Sequence, residues 1–130
     1  MISDLLAEVA ETVDKTTRVR VFDSTGPGEP TRKRRDRRPT LADQHAPEAL
    51  EQLRAALTLR PDTKVMDWMQ GTDLWLELLG RDDAPLTAIG LLHPGWIRWE
   101  SHGDLELRYP TAILQWLTRW APAAAATIAR

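Results

Sequence analysis

The sequence predicts an α+β fold: an antiparallel sheet of four to five strands, with about three helices packed mainly on one face. Three observations carry this. Apolar residues recur at helical spacing near the start, in the middle and near the end of the 130-residue chain. Between the second and third of these segments, short runs rich in Leu, Ile and Trp read as strands. The connections between those runs are too short for parallel crossovers, so sequence neighbours pair as a meander.

Residues 2–14, "ISDLLAEVAETVD", form an amphipathic helix with Leu5, Leu6, Val9 and Val13 on one side and Ser3 or Asp4 as cap. "TRVRVFD", 17–23, sets Val19 and Val21 against Arg18, Arg20 and Phe22, the alternation of an edge or half-buried strand. Residues 24–40 form a long loop. Gly26, Pro27, Gly28 and Pro30 break regular structure, and the charge run that follows has no apolar side to bury.

A second helix covers 47–59. Pro47 sits in its first turn, Leu50, Leu53 and Leu57 form its stripe, and His45 is placed to cap it. Pro61 ends it by disfavouring helical geometry at Arg60. Strands follow at 63–70, 73–80, 86–92 and 96–101, with turns at "RDDAP" and "HPG". The last helix starts at Pro110 or Thr111, ends at Trp120 and buries Ile113, Leu114 and Leu117. Residues 121–130, "APAAAATIAR", are a frayed tail or a short extra helix. No repeat and no internal boundary divides the chain, so one domain spans 1–130.

Composition bounds the function. Cysteine is absent, which excludes disulfides, thiolate metal sites and a Cys nucleophile. The N-terminus is acidic where a secretory signal would be basic, and no apolar run reaches the roughly 18 residues of a membrane span. A cytoplasmic protein without membrane contact is expected. Net charge is −2, but Arg32, Lys33, Arg34, Arg35, Arg37 and Arg38, offset by Asp36, contribute +5 and leave −7 for the remainder. An acidic body with one basic loop is not the broad basic face of a DNA-binding domain. The loop has no interleaved aromatic for base stacking and no helix to enter a groove. It suits phosphate or an acidic partner only as a non-specific clamp.

Six tryptophans are many for 130 residues. Trp68, Trp99, Trp116 and Trp120 are expected at the junction of the sheet with the last helix. If Leu74, Leu76 and Leu78 face the helices, Trp75 and Glu77 point the other way, and Trp96 and Arg98 join them in the matching register. That second face is either covered by the N-terminal helix or is a protein-binding or self-association surface, since Trp and Arg are favoured interface anchors.

One polar cluster deserves weighing against catalysis. His93 stands at a turn, and Glu100, His102 and Asp104 lie at the far end of the next strand. A strand of about five residues spans roughly 17 Å, too far for one joint site. His102 and Asp104, with Asp67, remain as the residues of a small metal-binding or acid–base site. No nucleophile elbow or phosphate loop is present. No catalytic residue, metal ligand set or cofactor is assigned.

Residues 63–117 resemble a family of small uncharacterised actinobacterial proteins. The shared pattern is an aliphatic-His-turn-Ile-Arg-Trp strand followed by a Leu-x-Trp-Leu helix. His93, Ile97, Arg98, Trp99, Asp104, Leu105, Leu114, Trp116 and Leu117 carry it. The Cys-x-Cys of such proteins is replaced here by Asp67 and Met69, and their second His by Leu92. The resemblance implies a fold and no activity. The expectation is a non-enzymatic protein–protein interaction module, with an immunity or antitoxin role as one form by analogy. The alternatives are a nucleic-acid-associated protein using the basic loop, and a metal binder or enzyme around His102 and Asp104.

Overall fold

The computed structural model describes residues 2–23, 39–68, 71–92, 94–99 and 103–128. The basic run 32–38 and His93, Glu100 and His102 lie outside them. The elements in chain order are α1 (Ile2–Asp14), β1 (Arg18–Asp23), β2 (Thr40–Gln44), α2 (Pro47–Ala56), β3 (Leu74–Leu79), a short 3-10 turn (Arg81–Asp83), β4 (Pro85–Leu92), β5 (Trp96–Trp99), β6 (Gly103–Glu106), α3 (Ala112–Trp120) and α4 (Pro122–Ile128). Six strands form one sheet in the order β2-β1-β3-β4-β5-β6, and every neighbouring pair is antiparallel. The expected strands 73–80, 86–92 and 96–101 are β3, β4 and β5, β6 continues the meander beyond β5, and β1 and β2 extend the sheet on the far side of β3.

Register sorts the side chains. Val21, Leu76, Ile89 and Trp99 lie directly opposite one another across four strands, as do Leu74, Leu91, Ile97 and Leu105 across β3 to β6. These face the helices and belong to one core with Val9 and Val13 of α1, Leu50 and Leu53 of α2, and Trp116 and Leu117 of α3. Helix α1 therefore packs on the same side as the other helices and does not cover the second face. Helices α2 and α3 are tied by indole donors. Trp116 Nε1 donates to the Ala49 carbonyl at 2.8 Å, and Trp120 Nε1 to Gln52 Oε1 at 2.9 Å. A buried indole N–H needs such an acceptor.

Several boundaries differ from the sequence expectation. Helix α2 stops at Ala56, because Leu57 takes φ −90° and ψ 13° and Leu59 runs extended to bridge Leu107. The cap position is Ala46 with no side-chain cap bond, so His45 does not cap it. Among the described residues, the predicted strand at 63–70 makes a single bridge, Met66 to Asp104. Residues 122–128 are helical, with Ala121 and Ala124 buried against the core, so this part of the tail is not frayed. No helix among the described residues is long and apolar enough to cross a membrane.

Candidate functional site

The second face of the sheet carries the chemistry. Its central row crosses five strands: Phe22, Trp75, Gly90, Arg98 and Asp104, each directly opposite the next. A neighbouring row holds Arg20, Glu77 and Ala88, and a third holds Leu92, Trp96 and Glu106. The sequence expectation that Trp75, Glu77, Trp96 and Arg98 share a face matches this register. Their exposure divides them. Trp75 and Glu77 are 4% and 3% exposed, while Trp96 and Arg98 are half-buried. Trp75 packs with Phe22 and Ala88 in a small cluster of its own. Side chains so deeply buried form the floor of the face.

Two buried carboxylates sit on this floor, each opposite an arginine. Arg20 Nη1 lies 3.4 Å from Glu77 Oε1, and its guanidinium stacks over the Phe22 ring at 5.0 Å. Arg98 Nε donates to Asp104 Oδ1 at 2.8 Å and its Nη2 to Oδ2 at 3.2 Å. This fork geometry is the strong form of an arginine–carboxylate pair. Asp104 is 1% exposed and accepts a third bond, from the Trp68 backbone N–H at 2.9 Å. Arg98 Nη2 also donates to the Trp68 carbonyl at 2.7 Å.

The pair thus grips the backbone of Trp68 from both sides. Met66 and Asp104 exchange backbone bonds at 2.9 and 2.7 Å, which lays the preceding segment along the outer edge of β6. Gly103 permits this. Its φ is +112°, and a Cβ there would stand 2.8 Å from the Met66 carbonyl oxygen. Gly90 plays a similar part in the row, since its Cβ would meet Thr72 Cγ2 at 2.3 Å. From its anchored backbone, the Trp68 ring meets Trp96 edge to face, with centroids 5.7 Å apart and planes at 83°. Trp68 is nonetheless 42% exposed, and Val65 on the same segment is 48% exposed.

Trp68 is what sequence reasoning misplaced. It was expected beside the last helix with Trp99, Trp116 and Trp120, and those three do lie in or against the helical core. The missed signal was "DLELR". Read as a strand, it places Asp104 opposite Arg98 and brings the segment holding Trp68 over the edge.

The metal or acid–base alternative fares differently. Asp104, one of its residues, has both oxygens engaged by Arg98 and Trp68, and His102 lies outside the described residues. No group of three or more His, Asp or Glu side chains able to hold a metal occurs among the described residues.

A separate charged cluster ties the opposite edge. Arg18 pairs with Asp43 of β2 through Nε at 2.8 Å and Nη2 at 2.5 Å, and its Nη1 reaches Asp83 at 3.3 Å. Asp82 and Asp83 take left-handed backbone angles, φ 58° and 59°, in the β3–β4 turn. Aspartate tolerates that region better than most residues. The hydrogen bond from Arg18 holds the Asp43 carboxyl below the ordinary carboxylate range. The pair raises the Arg18 guanidinium above its usual value in return. Every member of this cluster has a partner of opposite charge within it or is, like His45, a solvent-exposed neighbour.

No family model matches the chain, and no curated protein or solved structure matches it.

Proposed function

We propose that this chain is a cytoplasmic, non-enzymatic module that works by binding a protein partner through Trp68 and Trp96 at the β5–β6 end of the second sheet face. The observation that carries the reading is the contrast at Trp68. The residue is 42% exposed, while its backbone N–H is bonded to the buried Asp104 and its carbonyl to the half-buried Arg98. A large aromatic held in place before binding loses little freedom on association, and such residues dominate interface energetics. Trp96 and Arg98 border Trp68. The charge of −7 outside residues 32–38 favours a basic partner by complementarity. An immunity or antitoxin role is one form that fits these properties by analogy.

The test is co-purification of the tagged chain from the cells that make it, wild type beside Trp68→Ala. A stoichiometric protein partner is expected with the wild type and absent with the variant, whose circular dichroism stays unchanged. A partner retained equally by both would remove the reading.

The six basic residues between Arg32 and Arg38 favour a second reading, nucleic-acid association. Retardation of DNA or RNA that falls steeply with salt would support it, because neutralised phosphates release counterions. No retardation at low salt would remove it.

A further inference from the structure

Thr40 stands where the basic run of the sequence meets the sheet. Arg34, Arg35, Arg37 and Arg38 lie six, five, three and two residues before it. Nucleic-acid association would use the charge of that run but not the hydroxyl that follows it.

The local structure presents this hydroxyl. Thr40 is exposed and opens β2, the outermost strand on its side of the sheet. An extended chain at a sheet edge is the form in which another protein most readily takes up a peptide. Val21 lies opposite Ala42 and Phe22 opposite Thr40, so Leu41 is the extra residue of a bulge. A bulge disrupts the ladder locally, which eases the release of the first residue of β2. Thr63 makes the contrast. It has Arg60 three residues before it, but it is 5% exposed and accepts a bond from the Glu106 N–H.

A cation already faces the Thr40 oxygen. Arg20 Nη2 donates to Thr40 Oγ1 at 3.3 Å, and Arg20 Nη1 lies 3.4 Å from Glu77 Oε1. Both contacts are longer than the roughly 2.7–2.9 Å of a charge-assisted bond. A phosphate on Oγ1 would bring about −1.5 to −2 charge and three strong acceptor oxygens to this guanidinium. Asp43, on the same strand, is engaged by Arg18.

We infer that Thr40 is a phosphorylation site for a serine/threonine kinase whose acidic peptide groove reads Arg37 and Arg38, and that Arg20 holds the phosphate. Thr40 Oγ1 attacks the terminal phosphorus of ATP. The new O–P bond forms as the bond to ADP breaks, and the hydroxyl proton passes to the catalytic carboxylate of the kinase. Carboxylates in the groove match the two guanidinium groups by forked bonds. The site lies at the opposite end of the sheet from β6 and Trp68, and it does not rest on the partner-binding reading.

The probe is the catalytic subunit of cyclic-AMP-dependent protein kinase with ATP, acting on the folded full chain. Mass spectrometry of the intact chain and of its peptides is expected to find one phosphoryl group, on Thr40. Thr40→Val should remain unmodified. The Arg37→Ala, Arg38→Ala double variant should lose at least about tenfold in kcat/KM, because each arginine supplies a charge-assisted bond. On phosphorylation the guanidinium resonances of Arg20 should shift. The chain isolated with phosphatase inhibitors from the cells that make it should carry the same group on Thr40. An unmodified wild type with the probe kinase or from its own cells, a phosphate placed elsewhere, a double variant modified as fast as wild type, or unmoved Arg20 resonances would overturn the inference.

Discussion

Asp104→Ala is the perturbation that bears most heavily on the second face. The carboxylate is 1% exposed and accepts three bonds, two from Arg98 and one from the Trp68 N–H. Removing one partner of a buried ion pair costs about 3–5 kcal/mol. Orphaning a buried backbone N–H costs about 1–3 kcal/mol, and the two do not simply add. Arg98 keeps its bond to the Trp68 carbonyl and is about one-fifth exposed, so water recovers part of the loss. The expected destabilisation is therefore about 3 kcal/mol. At this chain length that corresponds to a drop in Tm of about 10 °C. Urea unfolding followed by far-UV circular dichroism measures it. Hydrogen exchange gives a local check, because the Trp68 amide should lose its protection in the variant. A loss below about 1 kcal/mol, with that amide still protected, would refute the view that the pair anchors Trp68.

The remaining predictions follow from single contacts. Gly103→Ala forces a side chain onto φ +112° and against the Met66 carbonyl. It should cost about 3 kcal/mol in urea unfolding and free the Trp68 amide to exchange. Asp43→Asn probes the Arg18 pair, whose side chains are about a third exposed and screened by solvent, so the loss at neutral pH should be only about 0.5 kcal/mol. Because the folded Asp43 carboxyl titrates below its unfolded value of about 3.9, the pair's contribution is present above that pH. It fades as pH falls through the lower folded value, so wild type and variant should converge in strongly acidic urea titrations. A gap that persists or widens there would contradict the assigned sign. Trp116→Phe removes the indole donor to Ala49 and part of the packing between α2 and α3, and should lower stability by about 1–2 kcal/mol in the same assay.

The parts of this fold that the sequence disclosed are those where burial imposes a period. Helix α1 at Ile2–Asp14, strand β1 and the Leu74, Leu76, Leu78 face each bury one side against the common core, so their apolar residues mark them. Strand β2, "TLADQ", escaped notice because it is a half-exposed edge strand with only two apolar residues. Strand β6 has four residues, and its Asp104 is polar yet fully buried, which a hydrophobic pattern cannot express. For the candidate site, alternation placed Trp75, Glu77, Trp96 and Arg98 on one face. It could not reveal that Trp75 and Glu77 are the floor. Nor could it show that Trp68 arrives from a segment with almost no regular pairing. That placement depends on Gly103 and on the Arg98–Asp104 fork, both tertiary features with no local periodicity.

The most direct test of a partner-binding role is the affinity of the co-purified partner for the wild type and for Trp68→Ala, measured on proteins shown to be equally stable. Loss of a central interface aromatic should weaken binding by about 2 kcal/mol or more, roughly thirtyfold in Kd. Equal affinities would contradict the claim that the anchored, exposed Trp68 is where this protein meets its partner.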